Sequence, residues 1–171
     1  MRNFYSASLV CLLMICGWSV KKVQAQDRPS LLVQGSVGAR EYVIESACGG
    51  GPQNSFGGSI HYYFSGRTSV GGEFLGFNHC KQVFTYYSPK MSGMAQFAHD
   101  FSGGRVRPYV IGGIGLIYHH SQQGWSQLKP DGAAGGGAKV FVTKRIFVAP
   151  EATFAIDATI RGSIHVGFIL R

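Results

Sequence analysis

The chain has 171 residues, of which 45% are hydrophobic and only 14% charged, and it carries a formal net charge of +8. Soluble domains carry roughly 25% charged residues, and disordered chains are poor in aromatics, so 12 Phe, 8 Tyr and 2 Trp set this chain apart from both. The length is that of one domain, and the cations are scattered rather than run together, which excludes a nucleic-acid surface.

Residues 1–25 are expected to be a secretory signal peptide, with residues 26–171 forming the mature domain. Arg2 gives a positive start, Leu9 to Gly17 is an apolar run, and Val23-Gln24-Ala25 has the small-residue form of a cleavage site, so the cut falls between Ala25 and Gln26. The apolar run is shorter than the roughly 20 residues a transmembrane helix needs. No later segment approaches that length, so any membrane span must be built from strands closed into a barrel.

From Ser30 onward the pattern is one of period two. Leu31, Val33, Val37 and Ala39 share one face, and Gln34, Ser36 and Arg40 the other. Phe56, Ile60, Tyr62 and Phe64 oppose Ser59 and His61; Val70 and Phe74 oppose Ser69 and Glu73; Met91, Ala95 and Phe97 oppose Ser92, Gln96 and Asp100. The second half repeats it. Pro108, Val110, Ile114 and Leu116 alternate with Arg107, Tyr109 and Ile111. Ala134, Ala138 and Val140 alternate with Lys139 and Phe141, Val148, Ala152 and Phe154 with Glu151 and Thr153, and Ile164, Val166 and Phe168 with Ser163 and His165. These rows predict eight strands of roughly ten residues, enough to cross a bilayer at a tilt. Ser65-Gly66-Arg67, Phe101 to Val106 and Thr143-Lys144-Arg145 form short connections. Glu41 to Ser55, His79 to Lys90 and Ser121 to Ala133 are long ones, and Ala158 to Gly162 is a short link on their side. Short turns at one mouth and long loops at the other are the layout of outer-membrane barrels.

The string Arg107-Pro-Tyr-Val-Ile-Gly-Gly-Ile-Gly-Leu-Ile-Tyr-His-His120 resembles a strand of the OmpA/OmpX-like outer-membrane β-barrel family, as do Gly135-Gly136-Gly137-Ala138 before Val140 and the alternating last strand. The resemblance covers about Ser30 to Arg171. It implies an all-β, eight-stranded antiparallel up-and-down transmembrane barrel with both termini at the periplasmic mouth, assembled by the barrel-assembly machinery. Such barrels commonly end on Phe or Trp, whereas here Phe168 is followed by Ile169-Leu170-Arg171. No residues are left for the soluble peptidoglycan-binding domain of larger relatives, so a wall-anchoring role is not expected.

Several residues are candidates for function. Cys48 and Cys80, in the first two long loops, are expected to form a disulfide worth roughly 3 kcal/mol to the rim. Arg40, Glu73, Arg107, Lys139, Glu151 and His165 are expected in the barrel interior as a structural charge network, because an eight-stranded barrel is just wide enough for side chains to fill. Ser163 with His165, or His119-His120-Ser121, carries the residue types of an ester hydrolase such as the lipid A deacylases, where Ser and His must lie within hydrogen-bond reach. His119 and His120 are adjacent and point to opposite strand faces, so no metal site is expected, nor a cofactor. Two aromatic groups are expected as interface girdles: Tyr62, Tyr63, Phe64, Phe101, Tyr109 and Phe147 at the short-turn side, and Tyr42, Phe56, Phe77, Tyr86, Tyr87, Tyr118 and Phe154 at the long-loop side. The expected function is a monomeric, non-enzymatic outer-membrane protein embedded in outer-membrane lipid, serving envelope structure, surface interaction through its loops (Ala47 to Gln53 and Trp125), or a narrow solute path. A lipid-modifying hydrolase and a secreted soluble ligand-binding barrel are the alternatives.

Overall fold

A computed structural model of the chain describes residues 30–42, 52–78, 88–120 and 126–170. These form eight strands: β1 (Ser30–Tyr42), β2 (Gln53–Tyr63), β3 (Thr68–Phe77), β4 (Ser88–Asp100), β5 (Val106–His120), β6 (Ser126–Phe141), β7 (Ile146–Ala155) and β8 (Thr159–Leu170). Each strand pairs antiparallel with the next, and β1 pairs with β8 from Leu31↔Leu170 to Tyr42↔Thr159, so the sheet is a closed barrel. The expected leader, residues 1–25, and the expected disulfide partners Cys48 and Cys80 lie outside the described residues.

The two rows of each strand face opposite ways. Along β8, Thr159, Arg161, Ser163, His165, Gly167 and Ile169 are buried, while Ile160, Gly162, Ile164, Val166, Phe168 and Leu170 are exposed. The buried residues of the barrel are mostly polar or charged, and the exposed large side chains outside are apolar, among them Val37, Phe74, Phe97, Ile114, Phe154 and Val166. This inverts the arrangement a water-soluble barrel adopts, where the hydrophobic effect drives apolar side chains inward.

A lumen this narrow holds large side chains only where others are absent. Gly137 faces Tyr109, whose Oη would lie 2.9 Å from a Cβ built at that position, and a Cβ at Gly167 would strike the ring of Phe147. Glycine at these inward positions is what lets the two rings lie across the neighbouring strands. Phe147 in turn packs 5.4 Å from Phe141 (centroid to centroid), closing the short-turn end with Leu32, Ile111 and Ile169.

The largest shifts from the expected boundaries are at β6 and β8. β6 begins at Ser126 instead of Ala134, its first residues pairing with the end of β5 (Tyr118↔Leu128, Leu116↔Pro130). Pro130 and Asp131-Gly132 are turn-type residues by sequence, but a ladder already held by β5 carries them as strand. β8 begins at Thr159 because the link before it is only a three-residue turn, in which Ala158 takes φ 57° and its N–H donates to the Ala155 carbonyl at 3.0 Å. The expected girdles also thin out. Tyr62, Phe64 and Phe101 face outward at the short-turn side, but Tyr63, Tyr109 and Phe147 are buried in the lumen, and at the long-loop side Phe77 is buried too. Height along the strand places an aromatic near an interface, but strand parity decides which face it takes.

Candidate functional site

The lumen holds the densest chemistry of the molecule. Its centre is Arg161, on β8. The guanidinium donates to both oxygens of Glu73 on β3 (3.1 and 3.2 Å) and, at 3.3 Å, to Oε1 of Glu151 on β7. Glu73 also accepts from the Gln96 side-chain amide at 2.9 Å, and Gln96 Oε1 lies 3.1 Å from His61 Nε2. Glu151 accepts the Tyr109 hydroxyl at 2.8 Å. Every one of these groups is buried. A charge moved out of water is tolerated only when paired and hydrogen-bonded, and here one cation bridges two carboxylates whose other lone pairs are also engaged.

A second ionic cluster lies nearer the short turns. Lys139 on β6 is 2.6 Å from Asp100 on β4, and the Tyr63 hydroxyl donates to Asp100 at 3.0 Å. The ammonium sits 4.6 Å from the Tyr109 ring centroid, which joins the two clusters through one aromatic. Arg107 stands apart at the short-turn mouth, with its guanidinium 4.4 Å over Phe141 and Nε donating to the Gly104 carbonyl. Arg40 stands apart at the other mouth, bonded to Asp157 and, at 2.9 Å, to Thr159 Oγ1. The six inward residues singled out from sequence are thus all buried, but they fall into separate groups along the axis.

Sequence reasoning missed the hub itself. Arg161 falls within the expected link Ala158 to Gly162, although it stands two residues before Ser163 and four before His165, on their row. Asp100 is inward on the expected row, but its pairing with Lys139 has no local sequence signal.

Ser163 and His165 do meet: Ser163 Oγ lies 2.9 Å from His165 Nε2. Glu151 Oε1 is 3.5 Å from that same nitrogen, while His165 Nδ1 has no hydrogen-bond partner among the described residues. A nucleophilic relay needs the base between serine and carboxylate, one on each ring nitrogen. Here both neighbours compete for one nitrogen, and both side chains are buried inside the wall, away from the outer face. His119 is buried toward the lumen, whereas His120 lies near Tyr118 and Ser126 (Nδ1 3.1 Å from Ser126 Oγ). No group of three metal-ligating side chains gathers among the described residues.

Two small voids lie between these groups among the described residues. A void bounded by Leu32, Gln34, His61, Tyr63, Tyr109 and Lys139 has about 10 Å³, and one between Arg40, Leu75, Met94, Asp131 and Arg161 about 20 Å³. Each has room for about one water molecule.

No protein-family model matches the sequence, and no curated protein does. Solved structures do match. The N-terminal β-barrel domain of Pseudomonas aeruginosa OprF aligns with TM-score 0.62 at 16% identity, over 84% of this chain and all of that one. Neisserial surface protein A aligns with TM-score 0.62 at 14% identity, over 83% of this chain and 96% of that one. The chain has the fold of the small eight-stranded outer-membrane barrels. A de novo designed transmembrane β-barrel also aligns, with TM-score 0.55 at 16% identity over 86% of this chain. A natural pair and a designed barrel share so few residues with this chain because the fold asks for a binary row pattern and closure, not for particular side chains.

Proposed function

We propose that this chain is an integral, non-enzymatic barrel of the bacterial outer membrane, exported through its N-terminal leader, whose work is structural or is done by the long loops at one mouth. The single observation that carries the reading is the apolar exterior around an ionic lumen. Large continuous apolar surfaces mark contact with another apolar phase, and a closed barrel satisfies every strand's backbone without water. The same exterior disfavours the secreted soluble barrel. The bridged carboxylates and water-sized voids disfavour an open solute path, and the buried Ser163 and His165 disfavour hydrolysis of a lipid ester arriving from outside. The loops after β1 and β3, which carry Cys48 and Cys80, leave the barrel at the same mouth, so the proposal retains their disulfide.

The test is fractionation of a Gram-negative host making the chain, followed by gel electrophoresis of heated and unheated membrane samples. The expected result is recovery in the outer-membrane fraction, with a mobility shift on heating as the barrel unfolds. Recovery in a detergent-free soluble fraction as a monodisperse species would overturn the reading.

A further inference from the structure

The three short turns share one construction. Arg67 immediately precedes β3, Arg105 precedes β5, and Arg145 precedes β7. In each case the arginine carbonyl is locked to the neighbouring strand. Arg67 O accepts from Asp100 N at 2.8 Å, Arg105 O from Phe141 N at 2.8 Å, and Arg145 O from Ile169 N at 2.9 Å. Ser65 Oγ and Thr143 Oγ1 further tie down the turns, accepting the N–H groups of Thr68 and Ile146 at 3.0 Å. The three side chains, together with Lys144, are exposed, and none has an acidic partner among the described residues. None of the three turns contains Asp or Glu.

The apolar wall ends beside them. Phe64, Phe101, Val142 and Ile146 are exposed within four residues of these cations. At the opposite mouth the exposed charges described are mixed: Glu41, Lys129 and Asp157. One mouth therefore carries a rigidly mounted cationic rim at the height where hydrocarbon gives way to headgroups, and basic side chains there snorkel toward negative charge.

We propose that the short-turn rim is a docking ring for the phosphate headgroups of anionic phospholipids in the leaflet it faces. This rests on the membrane reading above. The planar guanidinium suits the choice of phosphate, because it can bind two phosphate oxygens side by side.

The test places the chain in nanodiscs of equal phosphatidylcholine and phosphatidylglycerol and uses native mass spectrometry to count lipids retained as the disc is stripped. The chain is expected to retain phosphatidylglycerol preferentially. The variant Arg67→Gln/Arg105→Gln/Lys144→Gln/Arg145→Gln should lose that preference by at least about tenfold, and Lys129→Gln at the other mouth should keep it. Because Arg105 Nε also donates to the Phe141 carbonyl, a triple variant that retains Arg105 separates folding from binding and should still lose most of the preference. The preference of the unsubstituted chain should also vanish in high salt. An undiminished preference in the triple variant or in salt overturns the proposal. So does equal retention of inorganic phosphate by the chain in pure phosphatidylcholine discs, or binding of cell-wall fragments in place of lipid. Failure of the unsubstituted chain to enter any disc would instead sink the membrane reading.

Discussion

The lumen's central layers and its long-loop mouth solve the same problem differently. In the centre, Arg161, Glu73, Glu151, Lys139 and Asp100 are all sealed from solvent, and each charge has a partner at hydrogen-bond distance. At the mouth, Arg40 is buried but its partner Asp157 is about a third exposed. Burial raises both the strength of a pair and the penalty for breaking it, whereas a wetted carboxylate loses little when its partner goes. The stabilising ion pairs of the barrel are therefore concentrated in the middle, while the one described at the long-loop mouth contributes little.

The comparison is broken most easily at its hub. Arg161→Met leaves Glu73 and Glu151 facing each other without a cation and should destabilise the barrel by about 3–5 kcal/mol, read from urea unfolding in lipid vesicles. Lys139→Met should cost about 3 kcal/mol by stranding Asp100, and the double variant Lys139→Met/Asp100→Asn should recover most of that loss in the same assay, because removing a buried pair is milder than halving it. At the mouth, Arg40→Met leaves only the part-exposed Asp157 without its partner and should lower stability by no more than about 1 kcal/mol in the same assay. A larger loss there than at Arg161 would invalidate the contrast. Smallest and opposite in sign, Ala158→Gly should stabilise by about 0.5 kcal/mol, since glycine adopts the left-handed conformation without the steric penalty alanine bears.

Strand parity was legible in the sequence because the outward row is written in large apolar residues. Val33, Val37, Ile164 and Val166 announce their face one position at a time. Where the outward row loses that vocabulary the reading failed. Ser126, Leu128, Pro130 and Gly132 include Leu128 as the one large aliphatic side chain, and the strand they belong to exists because β5 pairs with them. The inward row is harder still. That Arg161 meets Glu73, 88 residues away, follows from how the strands stagger on closure, which no local pattern encodes. Tyr63 and Tyr109 were legible as aromatics near one end, but their role as ligands to Asp100 and Glu151 depends on that same stagger.

The seam between β1 and β8 joins the first strand to the last. No intermediate length of chain can pair both margins, so the edge of the first strand stays open until the last strand is in place. Any stop codon that deletes the last segment would leave the ring gaping and strip out its central guanidinium at one stroke.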